Sequence, residues 1–142
     1  MIKVYQEKNM SLLKNIPLFL LVLIVYNVVA FTGEATVFEQ SLFSISLVSG
    51  AVVTMTTDTV IVLFGLLVMA IEIFKSTRSS VASVIDHALS TLVFVAFLLE
   101  FVLVAQVGKP GFLILTVLSL LDVITGFTVT ISAARRDVAV DR

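Results

Sequence analysis

The sequence predicts an all-α membrane protein: a bundle of four transmembrane helices with a short exterior β-hairpin between spans 1 and 2. Three observations predict it. The 142 residues are 59% hydrophobic and only 13% charged, against about a quarter charged in soluble domains. Four long apolar runs alternate with short polar connections. When those runs are threaded back and forth, the basic residues collect on one side. One soluble core of this size cannot hide so much apolar surface, so lipid must solvate most of it. Residues 1–142 therefore read as a single transmembrane domain.

The first span covers residues 16–32, near the lower length limit for crossing the hydrocarbon. Pro17 suits its first turn, where a missing N–H is harmless. Tyr26 and Asn27 interrupt it. Lys3, Lys8 and Lys14 ahead of this run imitate a signal peptide, but no clean small-residue cleavage site follows, so it reads as a retained span. Met1 or Met10 is the start.

Residues 33–58 form the exterior segment, with Glu34, Glu39 and Asp58 and no Lys or Arg. Phe43-Ser44-Ile45-Ser46-Leu47 alternates with period two, Ser49-Gly50 marks a turn, and Val and Thr crowd the stretch after it. Strand, turn, strand reads as a β-hairpin lying on the membrane surface. A backward extension of the second span is the competing reading, and the β-branched residues weigh against it.

The second span covers residues 59–74, with Asp58 as its expected N-cap and Gly65 permitting close helix approach. A short polar connection makes the second and third helices antiparallel neighbours. The third span covers 84–107 and ends at the turn Gly108-Lys109-Pro110-Gly111. The fourth covers 112–134 and stops at Arg135 and Arg136. With a cytoplasmic N-terminus, eight of the nine basic residues are cytoplasmic and only Lys109 is outside. That positive-inside bias puts both termini in the cytoplasm and requires an even number of spans.

Composition and motifs exclude several functions. A formal net charge of −1 and the lack of a basic run leave no nucleic-acid partner. There is no cysteine, hence no disulfide, thiol catalysis or Cys-ligated metal. No nucleophile elbow, zincin motif, phosphate loop or dinucleotide fingerprint is present, so no enzymatic role and no cofactor are expected. The expected partners are the lipid bilayer and a larger membrane complex or homo-oligomer.

Two polar groups stand out. Asn27, Glu100 and Asp122 each lie 13 or 14 residues along a helix from a presumed cytoplasmic marker, Lys14, Asp86 and Arg135 respectively. That is about 20 Å at 1.5 Å per residue, so all three are expected at one depth. Burying an ionised carboxylate there costs at least ~2.5–3.5 kcal/mol, so either these groups meet, or each is protonated, or water reaches them, and at least one of Glu100 and Asp122 is expected to be protonated at neutral pH. Ser119, Asp122, Thr125, Gly126 and Ala133 form a small-polar stripe on the fourth helix, and Asp86, Ser90, Val93, Phe97 and Glu100 line up on the third. The sharp reading is a proton or cation path through Glu100 and Asp122. The plainer reading, that these groups fasten the bundle or hold a partner, carries more weight because four short spans leave little room for a path in one monomer. The second group is Glu72, Lys75, Arg78, Asp86 and His87 near the cytoplasmic boundary. One His with two carboxylates is a poor transition-metal set, so an interfacial salt-bridge network outweighs a metal site or pH switch.

Residues 70–137 resemble a family of uncharacterised alphaproteobacterial inner-membrane proteins. The residues that carry the resemblance are Glu72-Ile73-Phe74-Lys75-Ser76-Thr77-Arg78, Ile85-Asp86-His87-Ala88-Leu89-Ser90, Leu99-Glu100-Phe101 and residues 118–137. It implies a bacterial inner membrane and four spans, and no activity. The layout is also similar to phosphate-starvation-inducible membrane proteins of the PsiE type.

Overall fold

The apolar runs fold as helices and the strand-patterned stretch as a hairpin. A computed structural model of the chain describes residues 16–76 and 81–140. In chain order the elements are α1 (Phe19–Thr32), a 3-10 turn (Val37–Glu39), β1 (Ser41–Ser46), β2 (Val52–Thr56), α2 (Thr57–Ser76), α3 (Val81–Leu103), a second 3-10 turn (Ala105–Val107) and α4 (Pro110–Val140). Three stretches, Thr57–Ser76, Val84–Leu103 and Pro110–Ser132, are long and apolar enough to cross a membrane. α1 is shorter, at 14 residues, about 21 Å.

Several boundaries differ from expectation. The first helix begins at Phe19, because Leu20 and Leu21 donate to the carbonyls of Pro17 and Leu18 in a tight lead-in turn. The second begins at Thr57, and its cap is Thr56 rather than Asp58. The Thr56 hydroxyl accepts the Thr59 N–H at 3.2 Å, the usual N-cap geometry. The third ends at Leu103, four residues early, where the chain tightens into the 3-10 turn. The fourth runs from Pro110 at its first position, where proline is favoured, through Arg135 to Val140. Charged residues outside the apolar zone do not end a helix whose propensity is sound.

β1 and β2 are antiparallel, with Phe43 opposite Met55, Ser44 opposite Thr54 and Ile45 opposite Val53, and an irregularity between Ser41 and Phe43. Gly50 closes the turn at φ +84°; it donates to the Leu47 carbonyl while Leu47 pairs with Ala51. A type I turn followed by a left-handed glycine is a favoured hairpin closure. The base is tied where Thr57 N–H donates to the Gln40 carbonyl.

The core lies between the helices. Phe19, Val22, Tyr26, Phe97, Phe112 and Leu115 are essentially inaccessible. α4 packs along both α2 and α3. Leu115 sits where a side chain on Gly65 would lie, with its Cδ2 2.3 Å from an ideal Cβ, so Gly65 admits the close α2–α4 crossing. The outward faces are apolar and open; Leu67, Leu92 and Val102 are each about two-thirds exposed.

The helices give the molecule two ends. At the hairpin end, Tyr26 stacks on Phe38 with ring centroids 4.4 Å apart and meets Phe112 edge-on at 4.8 Å. Its hydroxyl donates to Asp58 Oδ1 at 2.8 Å, and Lys109 pairs with Glu39 at 3.1 Å. The opposite end, around Lys75, holds the candidate site.

Candidate functional site

α2 finishes with Glu72 and Lys75 one turn apart, a spacing that puts both on one face. The Lys75 ammonium reaches three segments of the chain. It lies 2.7 Å from Asp86 Oδ1 on α3, 3.4 Å from Glu72 Oε2 on its own helix, and donates at 3.1 Å to the Ile16 carbonyl just ahead of α1. The other Glu72 oxygen accepts the Leu18 N–H. The start of α1, the end of α2 and the first turns of α3 therefore converge on one ammonium and two carboxylates.

α4 contributes Asp122. The Ser90 hydroxyl of α3 donates to its carboxylate, and Asp86, Lys75, His87 and Glu72 lie within its electrostatic reach. Glu72, Asp86, His87, Ser90 and Asp122 are all 2–6% exposed. The His87 ring lies over Gly126, with Nδ1 2.3 Å from where a Cβ on that glycine would stand, and its centroid is 6.3 Å from that of Phe127. One turn along α3, the Thr91 hydroxyl donates to the His87 carbonyl.

Three carboxylates and one ammonium sum to −2 when the imidazole is neutral. Such a group can hold helices together through charge-assisted hydrogen bonds or take up a proton or a cation. Among the described residues, no three His, Asp or Glu side chains are disposed to hold a metal ion.

The structure regroups the residues singled out in the sequence. Glu72, Lys75, Asp86 and His87 come together; Arg78 lies outside the described residues. Asn27 and Glu100 meet, with Asn27 Nδ2 donating to Glu100 Oε2 at 2.7 Å and to the Leu23 carbonyl at 3.1 Å. Asp122 does not join that pair. Its partner Ser90 is ten residues before Glu100 on α3, about 15 Å along the helix, too far for the two carboxylates to touch. The depth comparison took Arg135 and Asp86 as markers of one level. In the structure Asp86 is level with Asp122, and α4 continues past that level, so counting from Arg135 placed Asp122 too far toward the hairpin end. Glu100 sits three residues from the end of α3, near the boundary rather than mid-span.

Ser119 is buried, and its hydroxyl donates to the Thr116 carbonyl of its own helix at 2.7 Å. Thr116 does the same to Phe112 at 2.8 Å. These hydroxyls satisfy themselves locally and leave small surfaces for packing, outside the charge cluster. Thr125 is half-buried on the flank of α4.

Sequence reasoning missed two contributors: the backbone groups of Ile16 and Leu18, which no side-chain pattern can signal, and the Tyr26–Asp58 bond. Ser90 was visible on the polar line of α3, though its partner was not. Comparison of the chain with protein-family models, curated proteins and solved structures finds no match.

Proposed function

We propose that this chain is a small, non-catalytic integral membrane protein, an accessory or assembly subunit of a larger complex or homo-oligomer in a bacterial inner membrane. The observation that carries the reading is Lys75, which bridges Glu72, Asp86 and the Ile16 carbonyl from three segments of the chain. A charge so engaged acts as a fastener, and among the described residues no buried side-chain nitrogen or oxygen lacks a partner. Asp122 faces inward on this reading, so contacts with a partner fall to the apolar outer faces of α3 and α4.

On this reading α1 is a fourth, short span. Leu18, just ahead of it, is tied to Glu72 near the end of α2, and Tyr26, at its middle, to Asp58 in the first turn of α2. Four crossings put both termini on one side, and the basic residues assign that side to the cytoplasm. Extraction in a mild detergent tests the function directly. The expected result is co-purification with other membrane proteins or a defined homo-oligomer; recovery of a lone chain in every mild detergent speaks against it.

A second reading is a proton- or cation-coupled carrier or channel acting as an oligomer, for which the sequence points to Glu100 and Asp122. The carboxylate excess around Asp122 favours moving it to Glu72, Asp86 and Asp122. A flux in proteoliposomes that Asp122→Asn abolishes and Glu100→Gln leaves intact would replace the first reading with this one.

A further inference from the structure

The hairpin presents a puzzle of solvation. A lone two-stranded hairpin is marginal in water, yet every residue of β1 is exposed, and the hairpin's backbone tie to α2 is the Gln40–Thr57 bond at its base. The register sorts its side chains. Phe43 opposes Met55 and Ile45 opposes Val53 on one face, while Ser44 opposes Thr54 and Ser46 opposes Val52 on the other, which is polar apart from Val52 and where the Ser44 and Thr54 hydroxyls lie 3.2 Å apart. One face is thus apolar and open, with Phe43 52% and Ile45 43% exposed.

We infer that this apolar face is seated in the boundary layer of the lipid bilayer, making the hairpin a membrane-surface anchor with its serine–threonine face toward water. Three observations select lipid as the occupant. First, β2 ends at Thr56 and α2 begins at Thr57, so the hairpin starts where a membrane-spanning helix reaches the bilayer surface, with no linker to lift it away. Second, residues 40–57 contain no Asp, Glu, Lys, Arg or His. Exposed edge strands are normally guarded by charge, and a charge-free hairpin suits a neutral apolar boundary better than a protein partner recognised through ion pairs. Third, the helix that follows the hairpin is itself open and apolar, with Leu63 and Leu67 of α2 exposed. The irregularity between Ser41 and Phe43 lies at the base, where a bulge bends a strand and lets the hairpin lean onto the surface.

The inference rests on the helices being membrane-embedded, and is independent of the accessory role. The chain contains no tryptophan, so single substitutions report without background. The full chain would be reconstituted in phosphatidylcholine vesicles containing brominated phosphatidylcholine, a contact quencher of indole emission. Phe43→Trp and Val53→Trp probe the apolar face, Ser44→Trp and Thr54→Trp the opposite one, and Leu67→Trp the lipid-facing side of α2. The expected result is strong quenching at position 67, clear quenching with blue-shifted emission at 43 and 53, and little at 44 and 54. Equal quenching on the two hairpin faces overturns the proposal. So does quenching at 67 without quenching at 43 and 53; if emission at 43 then shifts as the protein is diluted in the vesicles, a second copy covers the face instead. No quenching at 67 would overturn both this proposal and the membrane reading beneath it.

Discussion

His87 on α3 lies directly over Gly126 on α4, so close that a Cβ at position 126 would stand 2.3 Å from the imidazole Nδ1. The two helices approach at that level because one of them presents no side chain. Gly126→Ala is therefore expected to destabilise the protein by about 1–3 kcal/mol, the usual penalty for overpacking. Adding His87→Ala should recover part of that loss, because it removes the ring that the new methyl group meets. Thermal melting of the single and double variants in one detergent gives the coupling; additive losses would show that the contact does not set the helix spacing.

Lys75 predicts a larger effect. Lys75→Met removes the only ammonium among the described groups of the cluster and leaves Glu72 and Asp86 facing each other without it. Breaking a buried ion pair from one side costs about 3–5 kcal/mol. The triple variant Lys75→Met, Glu72→Gln, Asp86→Asn should be more stable than Lys75→Met alone, since no unpaired charge remains. If the single substitution melts like the parent, the bridge contributes nothing and the fastener reading loses its main support.

The levels of the polar groups can be measured with introduced thiols, because the chain has no cysteine of its own. Ser90→Cys with Asp122→Cys should cross-link readily under mild oxidation, as should Asn27→Cys with Glu100→Cys. Glu100→Cys with Asp122→Cys should not, being separated by about 15 Å along the helix axis. Cross-linking of that last pair would restore the single polar layer expected from counting along the sequence.

At the hairpin end, the Asp58 carboxylate lies against Gly111, with Oδ1 2.2 Å from where a Cβ would be. It accepts the Tyr26 hydroxyl beside the first turn of α4, a place where helix geometry favours negative charge. Tyr26→Phe keeps the ring stacking and removes one hydrogen bond to a charged group, so a loss of about 1.5–3 kcal/mol is expected. Gly111→Ala displaces the carboxylate itself. It should destabilise the parent more than it destabilises an Asp58→Ala background, as denaturation of the four variants would show.

Reporter fusions test the topology. A reporter after Arg142 and one inserted near Gly50 should appear on opposite sides of the membrane, the first in the cytoplasm. A reversed pair of signals would overturn the reading of the basic residues, and an added N-terminal reporter found on the Gly50 side would remove α1 from the count of spans.

Much of the fold was legible because its solvent leaves little choice. A backbone in lipid must satisfy its own hydrogen bonds, so long apolar runs such as that containing Leu63 to Ala70 have to be helices. The hairpin was legible through the alternation from Phe43 to Leu47 and the glycine that its turn requires. The N-cap was misread because Asp58 is drawn into tertiary contact with Tyr26 and Gly111, leaving capping to Thr56. The polar groups were assigned to the right helices and faces but partly to the wrong level. Phase follows from the 3.6-residue period of each helix alone, whereas level depends on how far one helix slides past another. Nothing in the run from Thr116 to Arg135 announces that α4 continues well past Asp86.

The direct passage from β2 into α2 has a mechanical consequence. A strand that becomes a helix without an intervening residue offers no swivel, and the Gln40–Thr57 bond closes the joint from the side. Any torque on the hairpin must therefore turn α2 as a shaft, and at the far end of that shaft stands Lys75, gripping α1 and α3. A pull or twist at the hairpin is thereby passed along α2 toward the charge cluster at its other end.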